Sequence, residues 1–222
     1  LMWASFGNAE GTIRLLLESG ANIAITDEGG RTALHYAAET GAVRAIALLL
    51  DAGSNAATED NWGLSALTYA IQHRQLGVIE YLTHPGMDSR LLQGAECAPL
   101  HMAAATGQVW VLERLLDRGA DVNAVQKSDG RTALMLAAGA NDEATVAVLL
   151  RHGARVDDHD RNGRTALSYA AQSGSAVLAS QLRAAGASVS VRCARGLTPL
   201  DYIKERRLSN EDRDALETAL GP

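Results

Sequence analysis

Cysteine is scarce in this chain: Cys97 and Cys193 are its two, and the expectation is a reduced, intracellular, cytoplasmic setting. Long apolar runs are missing too. No stretch of 18 nonpolar residues occurs, which excludes a membrane-spanning helix and predicts no membrane insertion. The first residues lack the charged-then-apolar pattern of a secretory leader. Positive charge is in deficit. A net charge of −6 does not offer the basic footprint that a nucleic-acid partner requires. The deficit is uneven: residues 1–111 hold five Arg against eleven Asp or Glu and carry the whole net charge, whereas residues 112–222 balance. An acidic half suits either a basic partner or a solubilising surface.

Catalytic signatures are absent as well. There is no Walker-type phosphate loop, no Gly-x-Ser-x-Gly elbow and no His-Glu-x-x-His pair, so we expect no enzyme activity, no catalytic residue and no cofactor. Asp158-His-Asp-Arg-Asn-Gly163 fits the first half of a calcium loop, but its twelfth position is Tyr169 where glutamate is needed. No metal site is predicted there.

What the sequence does have is a period. Leu1, Leu34, Leu67, Leu100, Leu134, Leu167 and Leu200 recur every 33 residues with a single step of 34. Self-similarity at that spacing marks a stacked-repeat solenoid, whose function lies on an extended surface. Around each leucine the same block returns: Thr32-Ala-Leu-His-Tyr-Ala-Ala38, Ser65-Ala-Leu-Thr-Tyr-Ala-Ile71, Ala98-Pro-Leu-His-Met-Ala-Ala104, Thr132-Ala-Leu-Met-Leu-Ala-Ala138, Thr165-Ala-Leu-Ser-Tyr-Ala-Ala171 and Thr198-Pro-Leu-Asp-Tyr-Ile203. A hydroxyl ahead of an apolar run predicts an N-cap, because its oxygen accepts from an orphan N–H of the first turn. Ala4, Ala37, Ala70, Ala103, Ala137 and Ala170 are small enough for neighbouring first helices to approach closely.

A second helix is predicted in each unit from apolar residues at i, i+3 and i+4, such as Ile46, Leu49 and Leu50 or Val146, Leu149 and Leu150. Gly20, Gly53, Gly86, Gly119, Gly153 and Gly186 follow as stop signals in the left-handed conformation. Gly30, Gly63, Gly130, Gly163 and Gly196 mark turns in the connecting loops. Trp3, Tyr36, Tyr69, Tyr169 and Tyr202 share one helical position and are expected to point inward.

The combination Thr-Ala/Pro-Leu-His-x-Ala-Ala, a Leu-Leu helix, Gly-Ala and Asp-x-Asn-Gly resembles the ankyrin repeat over nearly the whole chain. The resemblance implies an all-α repeat solenoid of helix-turn-helix units with β-hairpin fingers. Residues 1–222 then form a single repeat domain: a truncated first repeat at 1–30, internal repeats at 31–63, 64–96, 97–130, 131–163 and 164–196, and a charged C-terminal capping repeat at 197–222. Within the last, Ser209 is the expected N-cap of the final helix. His35 and His101 take the family's hydrogen-bonding position between turns. Fingers and first helices would line a concave face that binds an intracellular protein, with the isolated domain monomeric.

Carried over residue by residue, the outward positions are Glu28, Arg31 and Glu39; Asn61, Trp62, Leu64, Gln72 and His73; Asp129 and Arg131; and Arg161, Asn162, Arg164 and Gln172. Trp62 at a turn tip either meets a partner or packs on its neighbouring finger. Arg31, Arg131 and Arg164 either bind a partner or hydrogen-bond within their own hairpins. Trp110 stands where the family places a polar residue, either as a convex-side contact or as a self-association patch. The third finger, where Glu96 replaces the turn glycine, is expected to be irregular, and the next, with one extra residue, to project further. Asn123, preceded by Leu115, Asp121 and Val122, matches the spacing of an asparaginyl hydroxylation site or the family's consensus hairpin. Because Leu1 already falls inside a helix, the sequence reads as a piece of a longer protein. The domain would then serve, alternatively, as the regulatory or targeting part of an enzyme, sensor or channel.

Overall fold

The computed structural model describes residues 1–87, 89–92, 98–205 and 210–221; Glu96, Cys97, Ser209 and most of the third finger, expected to be irregular, lie outside them. The chain divides into two compact units, one of Leu1–Ala103 with Asp117–Ala120 and one of Ala104–Leu116 with Asp121–Pro222. Fourteen α-helices occur among the described residues.

In the first unit α1 (Met2–Phe6), α3 (Ala33–Thr40) and α5 (Ala66–Gln72) pack in a row, and α2 (Glu10–Glu18), α4 (Val43–Asp51) and α6 (Leu76–Leu82) form a second row behind them. The fourth pair is α7 (Pro99–Ala105) and α8 (Val109–Asp117). The second unit repeats the two rows with α9 (Ala133–Gly139), α11 (Ala166–Ser173) and α13 (Pro199–Glu205) in front of α10 (Glu143–Arg151), α12 (Ala176–Ala184) and α14 (Asn210–Leu220). No helix among the described residues is long and apolar enough to cross a membrane.

The sequence period explains each element. Ala37, Ala70, Ala137 and Ala170 have no exposed surface, and a larger side chain there would force the first-row helices apart. Ile46 and Leu49, like Val146 and Leu149, are fully buried under the second row, each contributing roughly 1.5 to 3 kcal/mol by leaving water. The predicted caps form: Ser65, Thr132 and Thr165 accept from the backbone N–H of Thr68, Met135 and Ser168. Thr198 and Asp201 cap reciprocally, Thr198 N–H donating to the Asp201 carboxylate at 2.9 Å.

Thr32 uses the imidazole of His35 in the same way. His35 Nδ1 accepts from Thr32 N–H at 3.0 Å, which leaves Nε2 to donate across to Leu64 O, also at 3.0 Å. One side chain thus closes a cap and ties two repeats together. Burial holds the imidazole below its ordinary pKa despite that outward bond to Leu64.

Two expectations need correction. Gly86 is not in the left-handed region, unlike Gly53 and Gly119 at the corresponding places. The cause is Pro85, whose ring disfavours helical geometry at the preceding residue: α6 stops at Leu82, and Thr83 Oγ1 donates back to Ile79 O at 2.6 Å. Arg118 then fills the gap, its guanidinium donating to Thr83 O at 3.0 Å and Met87 O at 3.1 Å. Trp3 is not core. It is 81% exposed, with Phe6 and Tyr36 as its ring neighbours, whereas Tyr69 and Tyr169 each donate to Asp60 or Asp160 and are buried.

Candidate functional site

Four of the described loops between repeats are tight turns built round one acidic side chain, and in the last Cys193 stands at that place. In the first, Asp27 Oδ1 accepts from Arg31 N–H at 2.8 Å, and Oδ2 accepts from Arg31 Nε at 2.9 Å and from the Tyr36 hydroxyl at 2.8 Å. Arg31 also lies 4.5 Å from the centre of the Tyr36 ring. Asp160, Arg164 and Tyr169 repeat the arrangement at 2.8 to 2.9 Å, with Arg164 4.7 Å from the ring centre. In the second loop Asp60 accepts from Trp62 N–H, Leu64 N–H and Tyr69 Oη, and Leu64 stands where the other two loops have arginine. The loop with the extra residue carries Gln126 at the aspartate position, and Asp129 takes over the pairing with Arg131 at 2.5 Å. Single antiparallel bridges, Glu59 with Ser65, Val125 with Thr132 and His159 with Thr165, close three of these fingers.

Arg31, Arg131 and Arg164 thus each pair with an aspartate of their own hairpin while part of each side chain remains at the surface. Arg31 additionally reaches Glu39 at 3.6 Å. The electrostatics follow from this wiring. Burial raises the Asp27 carboxyl, but the N–H of Arg31, the Tyr36 hydroxyl and the Arg31 guanidinium outweigh it and hold the group at about 2. Asp160 is lowered by the same set of donors against the same burial. Tyr169, buried and donating to Asp160, is pushed up to about 12. Asp158 pairs with Arg155 at 2.9 Å, so the carboxylates of the calcium-like segment are turned toward arginine and tyrosine.

Adjacent fingers are joined by backbone rungs. Asn61 N–H donates to Gly29 O at 2.9 Å and Asn61 Nδ2 to Glu28 O at 3.0 Å. In the second unit Arg161 N–H donates to Asp129 O at 2.9 Å, its guanidinium caps Ser128 O and Lys127 O, and Asn162 O accepts from Ala194 N–H. The tips are fixed with respect to their neighbours by these bonds.

On this scaffold Trp62 is 61% exposed, and one edge of its ring rests on Gly29. A Cβ at Gly29 would stand 2.9 Å from the indole, so the absence of a side chain there lets the ring lie down. The two alternatives for Trp62 are both partly realised, since it packs on the neighbouring finger and still presents most of its surface. An open groove of about 720 Å³ runs between the tips, lined by Asp27, Glu28, Gly29, Arg31, Asn61 and Trp62. Gln72 and His73 are exposed at the end of α5, the His73 ring parallel to Tyr69 at 6.3 Å.

Sequence reasoning missed Gly29 as the seat of Trp62, although the Gly29-Gly30 pair was a visible signal. It also missed a hollow of about 380 Å³ on the first-row face of the second unit, floored by Met135, Leu136 and Tyr169 and rimmed by Arg131 and Gln172. That hollow exists because Leu136 and Gly139 replace the tyrosine and the Glu or Gln found one or more repeats away. Trp110 is 43% exposed, with Arg114 5.7 Å from its ring centre. The Asn123 amide is engaged, its Oδ1 accepting from Arg155 N–H at 2.8 Å. Cys193 is buried and accepts from the Tyr202 hydroxyl at 3.3 Å.

Comparison with known proteins agrees with this architecture. A family model described as ankyrin repeats (3 copies) matches residues 1–92 and 98–202. The crystal structure of the ankyrin repeat domain of Bcl-3, described as a unique member of the IkappaB protein family, is 27% identical. It superposes with a TM-score of 0.74 over 97% of this chain and 96% of that one. The human ASB11 ankyrin repeat domain is 23% identical, with a TM-score of 0.79 over 100% of this chain and 97% of that one. No curated protein sequence matches the chain.

Proposed function

The chain belongs to the ankyrin-repeat family, and from that premise we propose that it is a protein-docking domain. It holds a protein partner on finger tips and first-row helices, without chemistry of its own. The observation that carries this reading is Trp62, 61% exposed on a turn whose backbone is fixed by Asp60 on one side and Gly29 on the other. A large aromatic side chain held rigidly in water loses little conformational entropy on binding, and tryptophan is among the residues that most often dominate an interface. The carboxylates and arginines round it stabilise the turn and set its register, so the partner's contacts centre on Glu28, Asn61 and Trp62 in the first unit. In the second unit they centre on Arg161, Asn162 and Gln172.

Affinity capture from a native lysate tests this. We expect the parent chain to retain a protein that Trp62→Ala loses, with the variant's far-ultraviolet circular dichroism unchanged, while Val177→Ala, an exposed apolar residue on α12, keeps it. Equal capture by all three chains would remove Trp62 and the finger tips from the account.

A further inference from the structure

The groove beside Trp62 has a definite electrostatic character. Arg31 is the cation within it and is already paired with Asp27 at 2.9 Å and Glu39 at 3.6 Å, so the local charge is negative before Glu28 is counted. The Glu28 carboxylate is exposed and makes no ion pair or hydrogen bond among the described residues. Its own main-chain carbonyl is held by Asn61 Nδ2, which keeps Glu28 on the tip next to Trp62. The first unit as a whole carries the net charge: six Arg against twelve Asp or Glu, while the second unit has fourteen of each sign. At the corresponding tip of the second unit, Ser128 replaces Glu28 and Asn162 replaces Trp62, so the pairing of an open indole face with an unpaired carboxylate belongs to the first unit.

We propose that this groove receives an arginine side chain from a basic segment of the partner protein, its guanidinium stacked on the Trp62 ring with Glu28 as counter-charge. The inference rests on the docking reading above and adds the chemistry of what is docked. Arginine fits better than lysine because a planar, weakly hydrated cation stacks on an aromatic face while its edge remains free to meet a carboxylate. Gly29 is part of the design: with no side chain, it lets the indole lie across the groove floor and present its other face.

The probe is a synthetic peptide of alternating arginine and serine, fluorescently labelled and titrated with the full chain by anisotropy. Its counterpart has every arginine replaced by neutral citrulline. We expect the arginine peptide to bind and the citrulline peptide not to, with affinity falling as salt is raised because the contacts are exposed. Trp62→Ala should weaken binding about tenfold, Trp62→Phe should recover part of that loss, and Glu28→Gln should weaken binding about threefold and flatten the salt dependence. Glu18→Gln and Asp51→Asn, exposed acids on second-row helices, should change it by less than about twofold. Failure of the arginine peptide to bind, no effect of Trp62→Ala, or equal losses from Trp62→Ala, Glu28→Gln, Glu18→Gln and Asp51→Asn would overturn the inference. If the peptide fails while capture from lysate still depends on Trp62, the basic partner is wrong and the docking surface stands; if both fail, both are wrong.

Discussion

The same loop is built twice with different surfaces. At 27–36 and 160–169 an aspartate accepts from the N–H and Nε of the arginine four residues on and from a tyrosine hydroxyl at nearly identical distances. The neighbouring tips then diverge. The first unit presents Glu28, Gly29 and Trp62, and its second loop has Leu64 in place of arginine; the second unit presents Ser128, Arg161 and Asn162, with Arg164 restored. Between these two loops the aspartate, arginine and tyrosine are repeated, and the residues at the tips vary. The difference means that the period specifies the scaffold, and that what distinguishes one unit's surface from the other's is read from departures at the tips.

That comparison breaks most visibly if the interior is not equivalent. Leu49→Ala and Leu149→Ala delete fully buried side chains at matching places and should each cost roughly 2 to 5 kcal/mol by urea denaturation; a near-zero cost for either would end the equivalence. Next in size, Asp160→Ala strands the Tyr169 hydroxyl and the Arg164 guanidinium together, and should cost about 1.5 to 3 kcal/mol. Asp60→Ala strands the Tyr69 hydroxyl but no arginine, so its loss should be the smaller of the two.

Acid titration acts on both units through Asp27 and Asp160 and separates them at His35. Asp27 has a native pKa of about 2, below the roughly 3.9 of an unfolded aspartate. The unfolded chain therefore takes up protons first, and the stability this site contributes is intact above about pH 4 and lost as pH falls toward 2. His35 is likewise lowered, by burial, so protonation of the unfolded chain below about pH 6.5 already erodes stability. The corresponding capping position in the second unit is Ser168, which does not titrate. His35→Gln should flatten the stability curve just below pH 6.5; an unchanged slope would show that this imidazole is not the group responsible. The smallest effect is expected from Gly29→Ala, less than about 0.5 kcal/mol in stability. It should nevertheless lift the Trp62 ring and shift its fluorescence.

Much of this was legible in the sequence because the period is a physical constraint repeated many times. Leucine spacing placed the helix pairs, hydroxyls placed the caps, and alanines placed the close contacts. The outward residues were harder, since a loop position says which way a backbone goes but not which neighbour its side chain meets. The pairing of Arg31, Arg131 and Arg164 with Asp27, Asp129 and Asp160 is one such contact that the loop sequence leaves open. Trp3 shares the helical phase of Tyr69 but not its burial, because phase fixes the direction of a side chain and not the group, such as Asp60 for Tyr69, that meets it. Gly86 was misread because a proline one residue earlier overrides the stop signal that the glycine series predicts.

The most direct test of the docking surface is a hydrogen-exchange footprint of the complex with the captured partner. We predict slowed exchange at residues 28–31 and 61–64 and no change along α2, α4 and α6. Protection confined to those second-row helices, with the tips exchanging as in the free protein, would contradict it.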